Sequence, residues 1–291
     1  MTTTSAESHT LDVPGATLTY DVRGPLPPAD GTPPLLLIGQ PMDATGFTTL
    51  ASFFTDRTVI TYDPRGLGRS TRSDGSLVQT PEQQADDLHR LIAELGTGPV
   101  DLLGSSGGAV TALCLAVTFP DDVRTVVAHE PPAVLLLPDA DRALAAWGRV
   151  QMVYNERGWG WGMAAFIAMT SWQGEFPEGF GTDSPDPAMF GMPSDDDGSR
   201  DDPLLSDVAT AIVRYQPDIA ALRASSARIV PAAGIESKGM MTWRASESLA
   251  AQLGVELAVF PSGHSGFMGG EYGQTGEPEA FAATLREVLA R

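Results

Sequence analysis

Cysteine is almost absent from this chain: Cys114 stands alone among 291 residues. No internal disulfide can form, and a reducing compartment is expected. The position of Cys114 in the apolar segment Ala109–Phe119 reads as a small core residue, because a reactive thiol needs an exposed, electropositive setting. Positive charge is scarce as well, with 18 Lys and Arg against 37 Asp and Glu and a formal net charge of -19. Phosphates would be repelled over most of the surface, which argues against nucleic acid and membrane as partners. Long hydrophobic runs are missing too, and nothing approaches the ~18 apolar residues that a bilayer span requires. Met1–Thr10 is polar and lacks the basic start and apolar stretch of a secretion signal, so a cytoplasmic location is expected. Histidines number four, His9, His89, His129 and His264, which narrows the search for a general base.

What is present is apolar material, 42% of the residues, enough for one large core in a chain of this length. Short apolar runs alternate with longer amphipathic segments, as where parallel strands are joined by crossover helices. Strands are predicted at Leu11–Val13, Thr17–Val22, Leu35–Ile38, Val59–Tyr62, Val100–Leu103, Val123–Ala128, Arg228–Ala232 and Val255–Phe260. Helices are predicted at Phe47–Thr55, Pro81–Leu95, Ala109–Phe119, Met241–Leu253 and Pro278–Leu289. Pro81 followed by Glu82 suits a first helical turn, which tolerates proline and welcomes negative charge. The alternation stops between Pro131 and Ser226, so an insertion is expected between the sixth and seventh strands.

Four motifs stand out in chain order. Leu35-Leu-Leu-Ile-Gly39-Gln40-Pro41 ends the third strand. Thr61-Tyr-Asp63-Pro-Arg65-Gly66-Leu-Gly68-Arg-Ser70 follows the fourth, and reads as a structural turn with an ion pair. Gly104-Ser105-Ser106-Gly107-Gly108 lies between an apolar run and an apolar helix, the setting of a nucleophile elbow, in which a sharp turn lifts the central hydroxyl to the positive end of a helix. Phe260-Pro-Ser-Gly263-His264-Ser-Gly266-Phe267 forms a glycine-rich loop after the last strand. From about Thr10 to the C-terminus these motifs resemble the α/β-hydrolase family, in its serine-nucleophile, esterase- and lipase-like branch. The resemblance implies an α/β fold with a mostly parallel twisted sheet flanked by helices, a core of residues 10–132 and 226–291, and a helical cap at 133–225.

The resemblance also implies roles. Ser106 is the candidate nucleophile, and its hydroxyl needs a base that removes the proton as it attacks. His264 follows it in the order this fold uses, with His129, at the end of the sixth strand, as the lesser candidate. Relatives carry an aspartate in a G-x-x-D turn after the seventh strand, but Gly234-Ile235-Glu236-Ser237 puts a serine in that slot. Ser237 cannot hold a charge against an imidazolium, so the third member must come from elsewhere. Glu130, in His129-Glu130-Pro131-Pro132, stands where some branches of the family place the acid, and Glu236 is the alternative. The oxyanion hole implied by the family falls on the amides of Gln40 and Gly107, since Pro41 has no N–H, and Ile38 replaces the family's usual histidine.

The insertion holds Trp147, Trp159, Trp161 and Trp172 with several phenylalanines and methionines, which read collectively as the apolar wall of a pocket. Met42, Trp147, Trp161, Phe166 and Phe267 are the candidate substrate contacts. Gly174–Asp202, rich in glycine, proline and aspartate, is expected to be a mobile lid loop or a disordered excursion, with Asp195-Asp196-Asp197 as solvated charge rather than a metal site. The function implied is hydrolysis of a carboxylic ester or lactone of a small to medium apolar substrate. A non-hydrolytic lyase or cyclase, or a binding protein with a decayed site, remain alternatives. No cofactor and no metal are implied. The partner is a small-molecule substrate, and a homodimer is compatible with the sequence.

Overall fold

The computed structural model describes residues 5–291. Strands β1 (Glu7–Val13) and β2 (Ala16–Arg23) form an antiparallel hairpin, followed by β3 (Leu35–Gln40), the short helix α1 (Thr48–Ser52), β4 (Val59–Asp63) and the two-residue β5 (Thr71–Arg72). Next come α2 (Pro81–Leu95), β6 (Val100–Ser106), α3 (Gly107–Thr118) and β7 (Val123–His129). Helices α4 (Ala140–Arg157), α5 (Trp159–Thr170), α6 (Thr210–Val213) and α7 (Ile219–Ala224) precede β8 (Arg228–Gly234). The chain ends with α8 (Met241–Leu253), β9 (Ala258–Phe260) and α9 (Pro278–Ala290). The strands form one sheet in the order β1-β2-β4-β3-β6-β7-β8-β9, with β5 paired to β2, and every pair from β4-β3 to β8-β9 is parallel.

Alternation along the central strands explains the two cores. Leu36, Ile38, Leu102, Val126 and Ala128 face the layer of α2, α3, α4 and α8, whereas Leu35, Leu37, Leu103 and Val127 face α1 and α9. Both faces are covered, which is why these strands read as continuous apolar runs. Helix α2 starts where Thr80 accepts a hydrogen bond from the Gln83 amide, carries Pro81 in its first turn and stops at Gly96 with φ 64°. Its buried face is Ala85, Leu88, Leu91 and Ile92. Each such leucine contributes on the order of 2 kcal/mol by leaving water.

Several boundaries differ from the sequence reading. β1 begins at Glu7 rather than Leu11, because an exposed edge strand pairs through its backbone and needs no apolar pattern. β9 is confined to Ala258–Phe260, and Val255 lies before it, half exposed. The helix expected at Phe47–Thr55 divides into a 3-10 turn, Ala44–Phe47, and α1. Asp63 and Arg65 do not pair with each other: Asp63 binds Arg69 and the Ala44 amide, and Arg65 makes a buried ion pair with Asp87.

Gly174–Asp202 is not an excursion. Phe176 is buried, and its amide donates to Asp139 Oδ2 at 2.8 Å. Trp161 Nε1 donates to the Ser194 carbonyl at 3.2 Å, and Trp159 Nε1 to Asp202 at 3.0 Å. A Cβ on Gly160 would stand 1.9 Å from the Pro193 carbonyl oxygen, so the glycine is what lets the segment lie on α5. The tryptophans that flag this region in the sequence therefore anchor the segment to the helices. Asp196 pairs with Arg200, and among the described residues no group of three or more His, Cys, Asp or Glu side chains is placed to hold a metal ion. Among those residues no helix is long and apolar enough to cross a membrane.

Candidate active site

Ser106 sits at the junction of β6 and α3 with φ 56° and ψ -127°, a conformation that a residue with a side chain adopts at a cost on the order of 1–3 kcal/mol. The glycines around it serve close approach. A Cβ on Gly104 would lie 2.6 Å from the Gly108 carbonyl oxygen, and one on Gly108 would lie 2.6 Å from that of Ile38. Helix α3 can thus dock directly against β3 and β6, with Ser106 half-buried at its positive end.

Glu130 directly follows β7 and is completely buried. Its φ of 50° is again unfavourable for a non-glycine residue, the more so before Pro131. The backbone is held by its amide, which donates to the Ala232 carbonyl at 2.9 Å. The carboxylate takes three well-formed hydrogen bonds: Oε1 from the Gly234 amide at 2.9 Å, and Oε2 from Thr242 Oγ1 at 2.8 Å and from His264 Nδ1 at 2.6 Å. Burial opposes the charge, but the bond and field of His264, with the nearby His129 and the Ser237 hydroxyl, hold the carboxyl well below the usual carboxylate range. His264 shows the converse: desolvation pulls it down, and the Glu130 carboxylate outweighs that and raises it above 6.5.

The alternative acid is elsewhere. Glu236 is exposed, and its carboxylate accepts from Ser262 Oγ at 3.3 Å rather than from His264. The side chain at 237 faces inward instead, where the Ser237 hydroxyl supports Glu130. His129 is wholly buried among Phe260, Phe267 and Phe281, with its ring centre 6.3 Å from that of His264. Its Nε2 is buried without a hydrogen-bond partner. Desolvation pushes this imidazole down to about 4, so it is neutral at physiological pH and belongs to the core.

The buried His129 makes the fold acid-sensitive in a defined window. A folded-state value depressed from 6.5 to about 4 means that its stabilising share is complete above pH 6.5 and is lost as pH falls toward 4. At 1.36 kcal/mol per unit, about 2–3 kcal/mol should disappear between pH 6.5 and 4.5. His264 acts in the opposite sense and mostly above 6.5. Denaturant unfolding at pH 7 and pH 4.5 should therefore show a smaller loss in His129→Leu than in the native protein; an equal loss would assign the acid sensitivity to other groups.

Ser106, Glu130 and His264 share the wall of one cavity of about 220 Å³. Gln40 and Gly107 lie on the same wall. Gln40 pairs in register with Ser106, and a Cβ on Gly107 would stand 2.9 Å from Gln40 Cβ, so β3 and the start of α3 are in contact beside the elbow. As the first residue of α3, Gly107 has an amide with no partner inside the helix. The rest of the wall is mainly apolar: Trp147, Phe166 and Met169 come from α4 and α5, Leu204, Ile212 and Val213 from the insertion's second half, and Met240 and Met241 from the start of α8.

Of the five expected substrate contacts, Trp147 and Phe166 line this cavity and the other three do not. Met42 is wedged between Gly39 and Gly46 against the core beneath the β3 loop. Phe267 is 2% exposed and stacks on Phe47 at 5.0 Å. Trp161 faces the Ser194 carbonyl and the Arg157 guanidinium on the far side of α5. Thr242, which bonds Glu130, and Ser237, whose hydroxyl favours its charged form, have no sequence signal for that role, because it depends on the segment after β8 lying beside the end of β7.

Comparison with known proteins agrees with this architecture. A family model described as alpha/beta hydrolase fold matches residues 35–152. The chain is 30% identical over 263 residues to the uncharacterized hydrolase YraK of Bacillus subtilis, a match covering 89% of each chain. Among solved structures, it resembles a thermophilic esterase from Thermogutta terrifontis at 24% identity and a TM-score of 0.64, covering 98% of both chains. It also resembles an enol-lactonase from Burkholderia xenovorans at 17% identity and a TM-score of 0.62, covering 97% of this chain and 100% of that one. At these identities the two structures speak for the fold alone. This chain belongs to the α/β-hydrolase family.

Proposed function

We propose that the protein hydrolyses a carboxylic ester or lactone through an acyl-serine intermediate. The observation that carries this reading is the His264 Nδ1 to Glu130 Oε2 contact of 2.6 Å on the cavity wall that also holds Ser106. With Nδ1 committed to a buried carboxylate, Nε2 is the nitrogen left for the Ser106 hydroxyl. Ser106 Oγ attacks the carbonyl carbon as its proton passes to His264 Nε2, and Glu130 stabilises the imidazolium that forms. The amides of Gly107 and Gln40 receive the developing oxyanion. Collapse of the tetrahedral adduct expels the alkoxide, which takes the proton from His264, and a water activated by the same imidazole then releases the acid.

The wall of Trp147, Phe166, Met169, Leu204, Ile212 and Val213 favours an apolar acyl or alcohol group of small to medium size. The insertion that carries all six of these residues serves as the cap. A panel of 4-nitrophenyl esters and lactones of graded chain length tests this. We expect kcat/KM to rise with apolar length until the cavity is filled and then to fall; a flat profile, or preference for a charged acyl group, would contradict it.

A further inference from the structure

Behind the elbow lies a buried chain of side-chain amides that the mechanism above does not use. Gln79 is the centre, at 4% exposure, and its orientation is dictated from outside: Nε2 donates at 3.2 Å to the Arg65 backbone carbonyl, which can only accept. Gln79 Oε1 must therefore face the other way. There it accepts from Gln40 Nε2 at 2.5 Å and from Gln84 Nε2 at 3.0 Å. Gln84 in turn presents Oε1 to the Thr111 hydroxyl at 3.0 Å, and that hydroxyl also lies 3.3 Å from the Gly107 carbonyl oxygen. The result is one hydrogen-bonded path from Gln40, at the end of β3, to Thr111, one turn into α3, whose hydroxyl packs against the Gly107 carbonyl oxygen.

The path also fixes what Gln40 cannot do. With Nε2 given to Gln79, its Oε1 is left buried and unpartnered. A buried acceptor without a donor weakens a fold, so maximal stability does not account for this arrangement. What it does accomplish is to tie the side chain of Gln40 to the first turn of α3, the turn that Gly107 opens.

We propose that Gln79, with Gln84 and Thr111, positions the oxyanion hole by fixing Gln40 to the first turn of α3, which carries Gly107. The inference rests on the acyl-serine reading of the site. Gln79→Leu, close in volume and unable to hydrogen-bond, should lower kcat about 10- to 100-fold, the scale expected when a transition-state donor is misplaced rather than removed. KM should stay within about threefold, because the ground-state carbonyl does not depend on the same geometry.

A trifluoromethyl ketone, which forms a tetrahedral adduct with the serine, supplies a readout that simple loosening of the fold would not move. Its inhibition constant should rise in Gln79→Leu by the same factor by which kcat/KM falls, while that of the corresponding methyl ketone stays constant. Thr111→Val and Thr111→Ser give an independent pair should Gln79→Leu fold poorly: the valine variant should show the same selective loss, and the serine variant should restore activity. Unchanged kcat in a folded Gln79→Leu or Thr111→Val protein, or equal weakening of both ketones, overturns the proposal. Fluorophosphonate labelling of the native protein distinguishes the two levels. Without labelling at Ser106 the acyl-serine reading falls and takes this inference with it; with labelling, an unaffected kcat in the variants removes the inference alone.

Discussion

Ser106→Ala is expected to leave a folded protein whose ester turnover falls by about 10⁶-fold, to the limit set by binding and the oxyanion hole alone. At 1.36 kcal/mol per factor of ten, that is about 8 kcal/mol of transition-state stabilisation. The fold should hardly respond. The backbone at 106 keeps the same conformation in the variant, α3 is built from glycines and apolar residues, and the lost hydroxyl is only half-buried. Thermal unfolding within about 1–2 °C of the native protein, together with loss of turnover, is the expected pair of measurements. Retained turnover in purified Ser106→Ala would mean that the nucleophile is another group or that the reaction needs none.

The second large effect comes from the acid. Glu130→Gln keeps the shape and the acceptor for the Gly234 amide but removes the charge that faces the imidazolium, so kcat should fall on the order of 10⁴-fold. It should also move the pH profile. The base acts in its neutral form, and Glu130 holds His264 above 6.5, so the native kcat/KM should climb with pH through an inflection above 6.5. In Glu130→Gln the field that raised His264 is gone, and the inflection should shift to lower pH. Glu236→Gln should leave kcat within about twofold, because that carboxylate is exposed and bonded to Ser262. A large loss in Glu236→Gln with a small one in Glu130→Gln would reverse the assignment.

Glu130 stands out as a candidate in the sequence for physical reasons. A serine at position 237 removed the ordinary candidate, and two prolines after Glu130 marked a stiffened strand end; both signals are local and survive in one dimension. The elbow and the histidine loop were legible for the same reason, since close approach of backbone segments demands glycine at fixed offsets. The cavity wall was not. Met42 and Phe267 stand within three residues of Gln40 and His264 in the chain, yet the loops that carry them pack both side chains into the core under the site. Trp161 shares α5 with Phe166, but five residues separate them on a helix of 3.6 residues per turn, which places them on different faces. Gly174–Asp202 has the composition of a solvated loop, and only its bonds to the tryptophans and to Asp139 reveal that it is packed down. The glutamine chain is the extreme case: of Gln40, Gln79, Gln84 and Thr111 only Gln40 lies in a motif, and nothing but the fold brings them together.

The most direct measurement is the site of covalent capture. Incubation of the native protein with a fluorophosphonate, followed by digestion and peptide mass spectrometry, should place a single adduct on Ser106. The labelling rate should drop steeply in His264→Ala and in Glu130→Gln and be unaffected in Glu236→Gln. A folded native protein that takes no adduct, or takes it on a residue other than Ser106, would contradict the acyl-serine mechanism.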